Sequence, residues 1–295
     1  MNQPGQAETQ RALIFDHAVL VVADLVSAAQ QFSAMGFTVT PGGVHAGQLS
    51  HNALISFGDG SYIELLAAYQ KRSLPVLRLL DRLGLLERHP AGRTPLGRRF
   101  VESLLIGPGI NDFALGAVNL DHVLPSVRER GLELDGPAPG GRVRPDQQQI
   151  SWRTACPRTR DLPFLIDDVT PRNLRVPEGQ ATQHINRASG VAAISIAVAD
   201  LAASTARYRA LLRRQPEVEP GSGYTPPGAA AVSFSLQAAG LVLEQAGEGA
   251  GSLRRQHGSA AGHPQRLWLH SPAGAMGLLT LSSTAELGYS LSNQT

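Results

Sequence analysis

The chain has 295 residues, enough for one large domain or two of ordinary size with a sizeable core. Hydrophobic residues make up 42% and charged residues 17%, which excludes a disordered chain, and a single cysteine, Cys156, excludes an internal disulfide and a cysteine-based zinc site. The formal net charge is only +2, no basic stripe is interleaved with aromatics, and no apolar run reaches the roughly 18 residues that cross a bilayer, so neither nucleic-acid nor membrane partners are expected.

Residues 1–10 are polar and lack the apolar stretch of a signal peptide, which makes the cytoplasm the default location. The next segment, "IFDHAVLVVADL" (14–25), starts an apolar strand that nevertheless carries Asp16 and His17 side by side. Residues 13–22 read as this strand, Asp24 as a helix cap, and Leu25, Ala28, Ala29, Phe32 and Met35 as a helix face stopped by Gly36. "FTVT" (37–40) reads as a second strand and "PGG" as the turn after it. "HNALISF" (51–57) and "SYIELLAA" (61–68) are two strands joined by "GDG", completing a β-α-β-β-β unit.

Leucines at helical spacing over 74–89 predict an inserted amphipathic helix, in an insertion running to about 96. A fainter copy of the unit follows. "NDFALGAVNL" (111–120) is its first strand, a helix covers roughly 120–130, and "ISWRTA" (150–155) and "LPFLID" (162–167) are its later strands. Residues 136–148 read as a loop and 171–189 as a linker. "VAAISIAVADL" (191–201) restarts the unit, with Asp200 aligned to Asp24 at an offset of 176. Leu201, Thr205, Tyr208 and Leu212 give its helix face, "AAVSFSL" (230–236) and "LVLEQA" (241–246) its strands, and "QRLWLH" and "GLLTLS" a closing hairpin. The last ten residues are polar and read as a frayed end. The expected organisation is therefore an α+β protein with paired modules over 11–170 (11–70 and about 98–170) and a third module with its hairpin over 190–285.

"FDHAVLVVADL", "GFTVTPGG", "HNALISFGDGSYIELLA" and "LPFLIDDVTP" together resemble the glyoxalase-like branch of the vicinal oxygen chelate superfamily. The resemblance implies βαβββ modules paired into curved mixed sheets around a cavity, with ligands for a divalent metal on the first and last strands of each module. It places His17 and Glu64 at two such positions; in the middle module an ungapped offset of 95 sets Asp112 opposite His17, and the end of "LPFLID" sets Asp167 opposite Glu64. One nitrogen and three carboxylates suit a hard or borderline ion; Mn, Fe, Ni and Zn are the candidates, Zn being the least favoured by so many carboxylates. The third module offers Ala193 and Glu244 at the corresponding places, and the alanine departs from the pattern.

Each residue also has a plain structural reading. His17 could be a strand histidine bonded to a neighbour, Glu64 a strand end at solvent, Asp112 a cap, and Asp167 part of a solvated turn. His51, Asn52 and Trp152 are candidate substrate contacts, with His45 six residues before His51 across a glycine-rich turn. Cys156 has Arg153 and Arg158 near it in sequence, which could lower its pKa. Phosphate-loop, dinucleotide, nucleophile-elbow and HExxH motifs are absent. Two functions follow. One is a metal-dependent lyase, isomerase or hydrolase of a small oxygen-bearing molecule, with Glu64 as ligand and proton shuttle. The other is a metal-free protein that sequesters a small ligand. An odd number of modules leaves room for pairing in a homodimer.

Overall fold

The apolar run after position 12 forms β1 (Leu13–Val21), and Asp24 caps α1 (Leu25–Ala34) by accepting the Ser27 N–H at 3.0 Å. β2 (Thr40–His45), β3 (Ser50–Ser56) and β4 (Tyr62–Ala68) complete the first unit. Two helices, α2 (Leu74–Arg82) and α3 (Pro95–Ile106), precede β5 (Gly109–Ala117), α4 (Leu120–Glu129), β6 (Leu134–Val143), β7 (Gln149–Pro157) and β8 (Phe164–Asp168). A single turn, α5 (Arg172–Arg175), leads to β9 (Gly190–Val198), α6 (Leu201–Leu212), β10 (Ala231–Ser235) and β11 (Gly240–Gln245). β12 (His263–His270), β13 (Gly277–Leu281) and β14 (Tyr289–Asn293) close the chain. The computed structural model describes residues 13–217, 230–237, 239–246, 263–271, 277–281 and 289–293; the polar decapeptide 1–10 lies outside these.

The first eight strands close into a barrel in the order β1-β4-β3-β2-β6-β7-β8-β5. Its halves are the two β-α-β-β-β units. Each has a parallel pair, β1 with β4 and β5 with β8, and the halves join through the antiparallel pair of β1 with β5. On the far side the halves meet in a short seam, Val44 with Val143 and His45 with Arg142. The other strands form a six-stranded sheet, β10-β11-β9-β12-β13-β14. There β12 runs antiparallel to β9 as β5 does to β1, with register shifts on either side of the central pairs in both cases.

Period-two alternation along the strands sorts the apolar residues into two cores. Ala18, Leu20, Ile63, Leu65, Phe113 and Leu115 face outward and share a core with α1, α4, α6 and the second sheet. Val19, Val21, Leu66, Ala114, Trp152, Phe164 and Ile166 face inward and are covered by Leu77 of α2 and Phe100, Val101, Leu104 and Leu105 of α3. The inserted helices thus cover the barrel interior.

Several expectations differ from the structure. Of "FTVT" only Thr40 is in a strand, because β2 begins there. "PGG" lies within β2 rather than in a turn, and much of the predicted loop 136–148 is β6. Both strands need glycine because backbone and side chains approach closely. A Cβ on Gly43 (φ +129°) would lie 2.0 Å from the Val143 carbonyl oxygen, and one on Gly140 would lie 2.4 Å from Trp152 Nε1. The helical insertion runs past 96 to Ile106, because the apolar face of α3 is needed to cover the barrel interior. The end of the chain is not wholly frayed, since β14 pairs with β13. No described helix is long and apolar enough to cross a membrane.

Candidate functional site

Asp16 and His17 owe their places to an irregularity in β1. The ladder between β1 and β5 shifts register between Phe15 and His17, so Asp16 is passed over and His17 turns inward, paired with Ala114. Tyr62 on β4 is paired with His17, and its ring stacks on the imidazole at 4.4 Å. Two residues along β4, on the same face, stands Glu64. His17 Nδ1 meets Asp16 Oδ1 at 2.7 Å and its Nε2 lies 3.5 Å from Glu64 Oε2. From the other side, His45 Nε2 lies 3.4 Å from Glu64 Oε1, and the Asn52 amide donates to that oxygen at 2.6 Å. His45 is held in turn by Ser50 Oγ at 3.0 Å from its Nδ1. A Cβ on Gly42 would sit 2.1 Å from Asn52 Oδ1, so the bare backbone of β2 makes room for this amide.

Behind His17 lies a network of opposite charges. Arg175 Nη1 donates to Asp16 Oδ1 at 3.0 Å and to the Tyr62 hydroxyl at 2.7 Å, while Arg172 also binds Asp16. Arg175 is held on its other edge by Asp168. Burial raises the pKa of Asp16, but Arg175, the His17 hydrogen bond and Arg172 outweigh it and hold the carboxyl well below its usual range. Burial likewise raises Glu64, and its contacts with His17 and His45 bring it well below the ordinary value. Burial disfavours the charged form of His17, yet its bonds to Asp16 and Glu64 raise its pKa overall. Both shifts favour a carboxylate beside an imidazolium.

These groups border a cavity of about 20 Å³ inside the barrel, closed elsewhere by Leu96, Phe100, Trp152, Phe164 and Ile166. That space holds roughly one water molecule. Arg142 also lines it. Arg142 and His45 border, on their other side, a cleft of about 1060 Å³ between β2, β6 and β7.

The structure brings together His17, Glu64, Asn52 and Trp152 from among the expected residues, and leaves three elsewhere. His51 points to the opposite face of β3, where it meets the Tyr69 ring at 5.5 Å. Asp112 is on the inner face, but two residues along β5 from Ala114, and both its oxygens accept from Arg99 at 2.7 Å. Asp167 is one residue from Ile166, hence on the other face of β8, where it binds Arg153 and accepts the Leu120 N–H at 2.9 Å. The ladders explain the displacement. Ala114 is paired with Phe164, as His17 is with Tyr62, and Ile166 stands two residues on, where Glu64 does. The offset of 95 misses this register by two residues at Asp112, and aligning the end of "LPFLID" with Glu64 misses it by one at Asp167. In the second sheet Ala193 is paired with Gly240, so Val242 takes the glutamate place and Glu244 lies two residues further, 3.5 Å from Arg266. Cys156 is buried, and burial pushes its thiol up to about 12, against the lowering expected from nearby arginines.

A divalent ion in this barrel would need more donors than the cluster supplies. The second half offers only Ala114 and Ile166, the Asn52 amide occupies the Glu64 oxygen nearest His45, and the Arg142 guanidinium lines the same cavity. Among the described residues, no three His, Cys, Asp or Glu side chains are arranged to hold a metal ion. The donor set does not fit the metal that the resemblance implies. Sequence reasoning had no signal for Arg142 or for Arg172 and Arg175, which it assigned to a loop and a linker; the one available signal was Asp16, a carboxylate inside an apolar strand.

Residues 15–212 match the family described as the glyoxalase-like domain. No curated protein matches the chain. Among solved structures, a hypothetical protein from Staphylococcus aureus aligns with a TM-score of 0.61 at 16% identity, over 79% of this chain and 86% of that one. A fusion of a xylose isomerase-like TIM barrel with a 4-hydroxyphenylpyruvate dioxygenase aligns with a TM-score of 0.50 at 14% identity, over 88% of this chain and 37% of that one. Methylmalonyl-CoA epimerase from Streptomyces coelicolor aligns with a TM-score of 0.34 at 19% identity, over 54% of this chain and 96% of that one.

Proposed function

The chain belongs to the glyoxalase-like domain family of the vicinal oxygen chelate superfamily, and from that premise we propose that it is an isomerase or lyase that moves a proton on a small oxygen-bearing molecule without help from a metal. The observation that carries this reading is the buried Glu64 carboxylate, faced by two imidazoles and an amide, on a small cavity that shares His45 and Arg142 with a large cleft. Burying an ion pair of this kind is costly, and an apolar pair would fill the barrel at less cost.

The chemistry uses two neighbouring groups of opposite protonation. When a substrate carbonyl takes over the His17 Nε2–H, Glu64 loses one of the contacts that lower its pKa. Glu64 then takes the proton from the carbon next to that carbonyl while the His17 Nε2–H donates to the oxygen as charge develops there, giving an enol. Return of the proton to the same or a neighbouring carbon completes an isomerisation; loss of a group from the next carbon completes an elimination. Asp16 keeps His17 oriented and charged through Nδ1. Asn52 and His45 hold the carboxylate in place.

The test is exchange of carbon-bound protons in D2O, followed by proton NMR, across a set of small 2-oxo and 2-hydroxy compounds. Exchange that the wild type catalyses and Glu64→Gln does not supports the reading. Binding of such compounds with no exchange at all, equally in both proteins, would instead identify a protein that sequesters its ligand.

A further inference from the structure

Arg142 is a buried cation with no carboxylate within ion-pair distance among the described residues. It is 5% exposed, its Nη2 donates to the backbone oxygen of Arg175 at 2.6 Å, and its Nε has no partner. Other buried or half-buried arginines differ: Arg99, Arg153 and Arg175 each meet a carboxylate. Burial draws the Arg142 pKa down against the pull of Tyr62 and Glu64, the mark of a cation whose desolvation is not repaid.

A second donor lies next to it with the same deficit. Trp152 Nε1 is buried and has no partner; it points over Gly140, its neighbour across the β6–β7 ladder. Gly140 and Arg142 are two residues apart and so share a face. Arg142 lines both the inner cavity and the cleft, Trp152 lines the cavity and Gly140 the cleft. Among the described residues no Asp or Glu lines the cleft. Two buried donors without partners, beside a cleft whose described lining holds no acidic group, call for an anionic acceptor from outside.

We propose that Arg142 and the Trp152 indole N–H together hold a carboxylate of the substrate, so that the site takes a small 2-oxo monocarboxylate and presents the C–H carbon beside its keto carbonyl to Glu64. The proposal rests on the reading of Glu64 as the base. One uncompensated positive charge matches one negative charge. A phosphate dianion carries twice the charge that Arg142 balances and would be repelled more strongly by Glu64. A carboxylate is planar and can take two parallel N–H bonds from a guanidinium edge.

The test is titration of the full chain with pyruvate, lactate and 2-oxobutyrate, against pyruvamide, lactamide and inorganic phosphate. Affinity is read by calorimetry, and the Trp152 indole N–H by nitrogen–proton NMR, assigned with Trp152→Phe. The expected result is that at least one acid binds, shifts the Trp152 signal, and outcompetes its amide and phosphate. Arg142→Gln weakens that acid by roughly tenfold or more, and Arg142→Lys restores part of the loss. The wild-type comparison of acid with amide needs no variant, so a poorly folding Arg142→Gln leaves the test intact. Equal binding of acid and amide, tighter binding of phosphate, no binding of any acid, or an undiminished Arg142→Gln would overturn the carboxylate subsite. Glu64→Gln separates the two readings: it should keep acid binding and lose proton exchange, whereas acid binding without exchange in the wild type would sink the catalytic reading alone.

Discussion

His45 on β2 and Arg142 on β6 are paired directly across the seam that closes the barrel, and both side chains border the inner cavity and the outer cleft. The same two-pair ladder therefore finishes the fold and forms the threshold of the site. Cleft and cavity share these two residues at the most weakly joined place in the sheet: the β2–β6 ladder has only two pairs, whereas the β6–β7 ladder beside it has eight.

Gly43→Ala should open this threshold. The substitution puts a Cβ 2.0 Å from the Val143 carbonyl oxygen at a φ of +129°, and neither backbone can yield without parting the ladder. A loss of about 1–3 kcal/mol in urea unfolding is expected. Hydrogen exchange should rise first at Val44 and His45. Unchanged stability together with unchanged exchange at those amides would show that the seam is not a constraint.

Asp112→Asn should cost stability and leave the site's chemistry in place. The carboxylate accepts two bonds from buried Arg99 and one from the Phe113 N–H, and burial is outweighed by Arg99 in holding its pKa low. Removing one partner of such a pair strands the other charge, at a cost of about 3–5 kcal/mol. Chemical denaturation measures that loss, and acid binding measured below the transition should match the wild type. A stable variant that had lost ligand binding would return Asp112 to the site.

The contrast between Asp112 and His17 shows what sequence could and could not convey. An imidazole and a carboxylate in otherwise apolar strands stand out, and period two puts them on one face, so His17 and Glu64 were legible along with the modules that carry them. Whether Asp112 reaches the same cavity depends on a two-residue difference in register, and Asp167 on a one-residue difference that reverses its face. Arg142 lay in a stretch of glycine and proline that reads as a loop until a partner strand is present to explain why side chains are missing. Arg172 and Arg175 are 156 and 159 residues from Asp16, a pairing that no local pattern encodes.

Stability should peak at mildly acidic pH. Asp16 and Glu64 have lowered pKa values, so their contributions are complete above the ordinary values of 3.8 and 4.5 and fade as pH falls through the lower folded-state values. His17 has a raised pKa, so its contribution is complete below 6.5 and fades as pH rises through the higher folded-state value. The groups facing it are Asp16, Glu64, Tyr62 and, beyond Glu64, His45 and Arg142. Urea unfolding across pH should show a decline on the alkaline side that His17→Gln removes. A wild type whose stability kept rising above 6.5 would rule out the imidazolium.

Metal analysis should find no stoichiometric Mn, Fe, Ni or Zn in the chain purified without an affinity tag, and addition of these ions should leave its Tm unchanged. A divalent cation here must displace the Asn52 amide from Glu64 Oε1 and strip His17 of its proton. It must also settle beside the Arg142 guanidinium, with Ala114 and Ile166 where further ligands would stand. Each of these weakens an ion that His17 and Glu64 alone would hold loosely. A stoichiometric metal that disappears in the His17→Ala/Glu64→Ala double variant would overturn this. It would show that Asn52 swings aside and that His45 completes a ligand set of two imidazoles and one carboxylate.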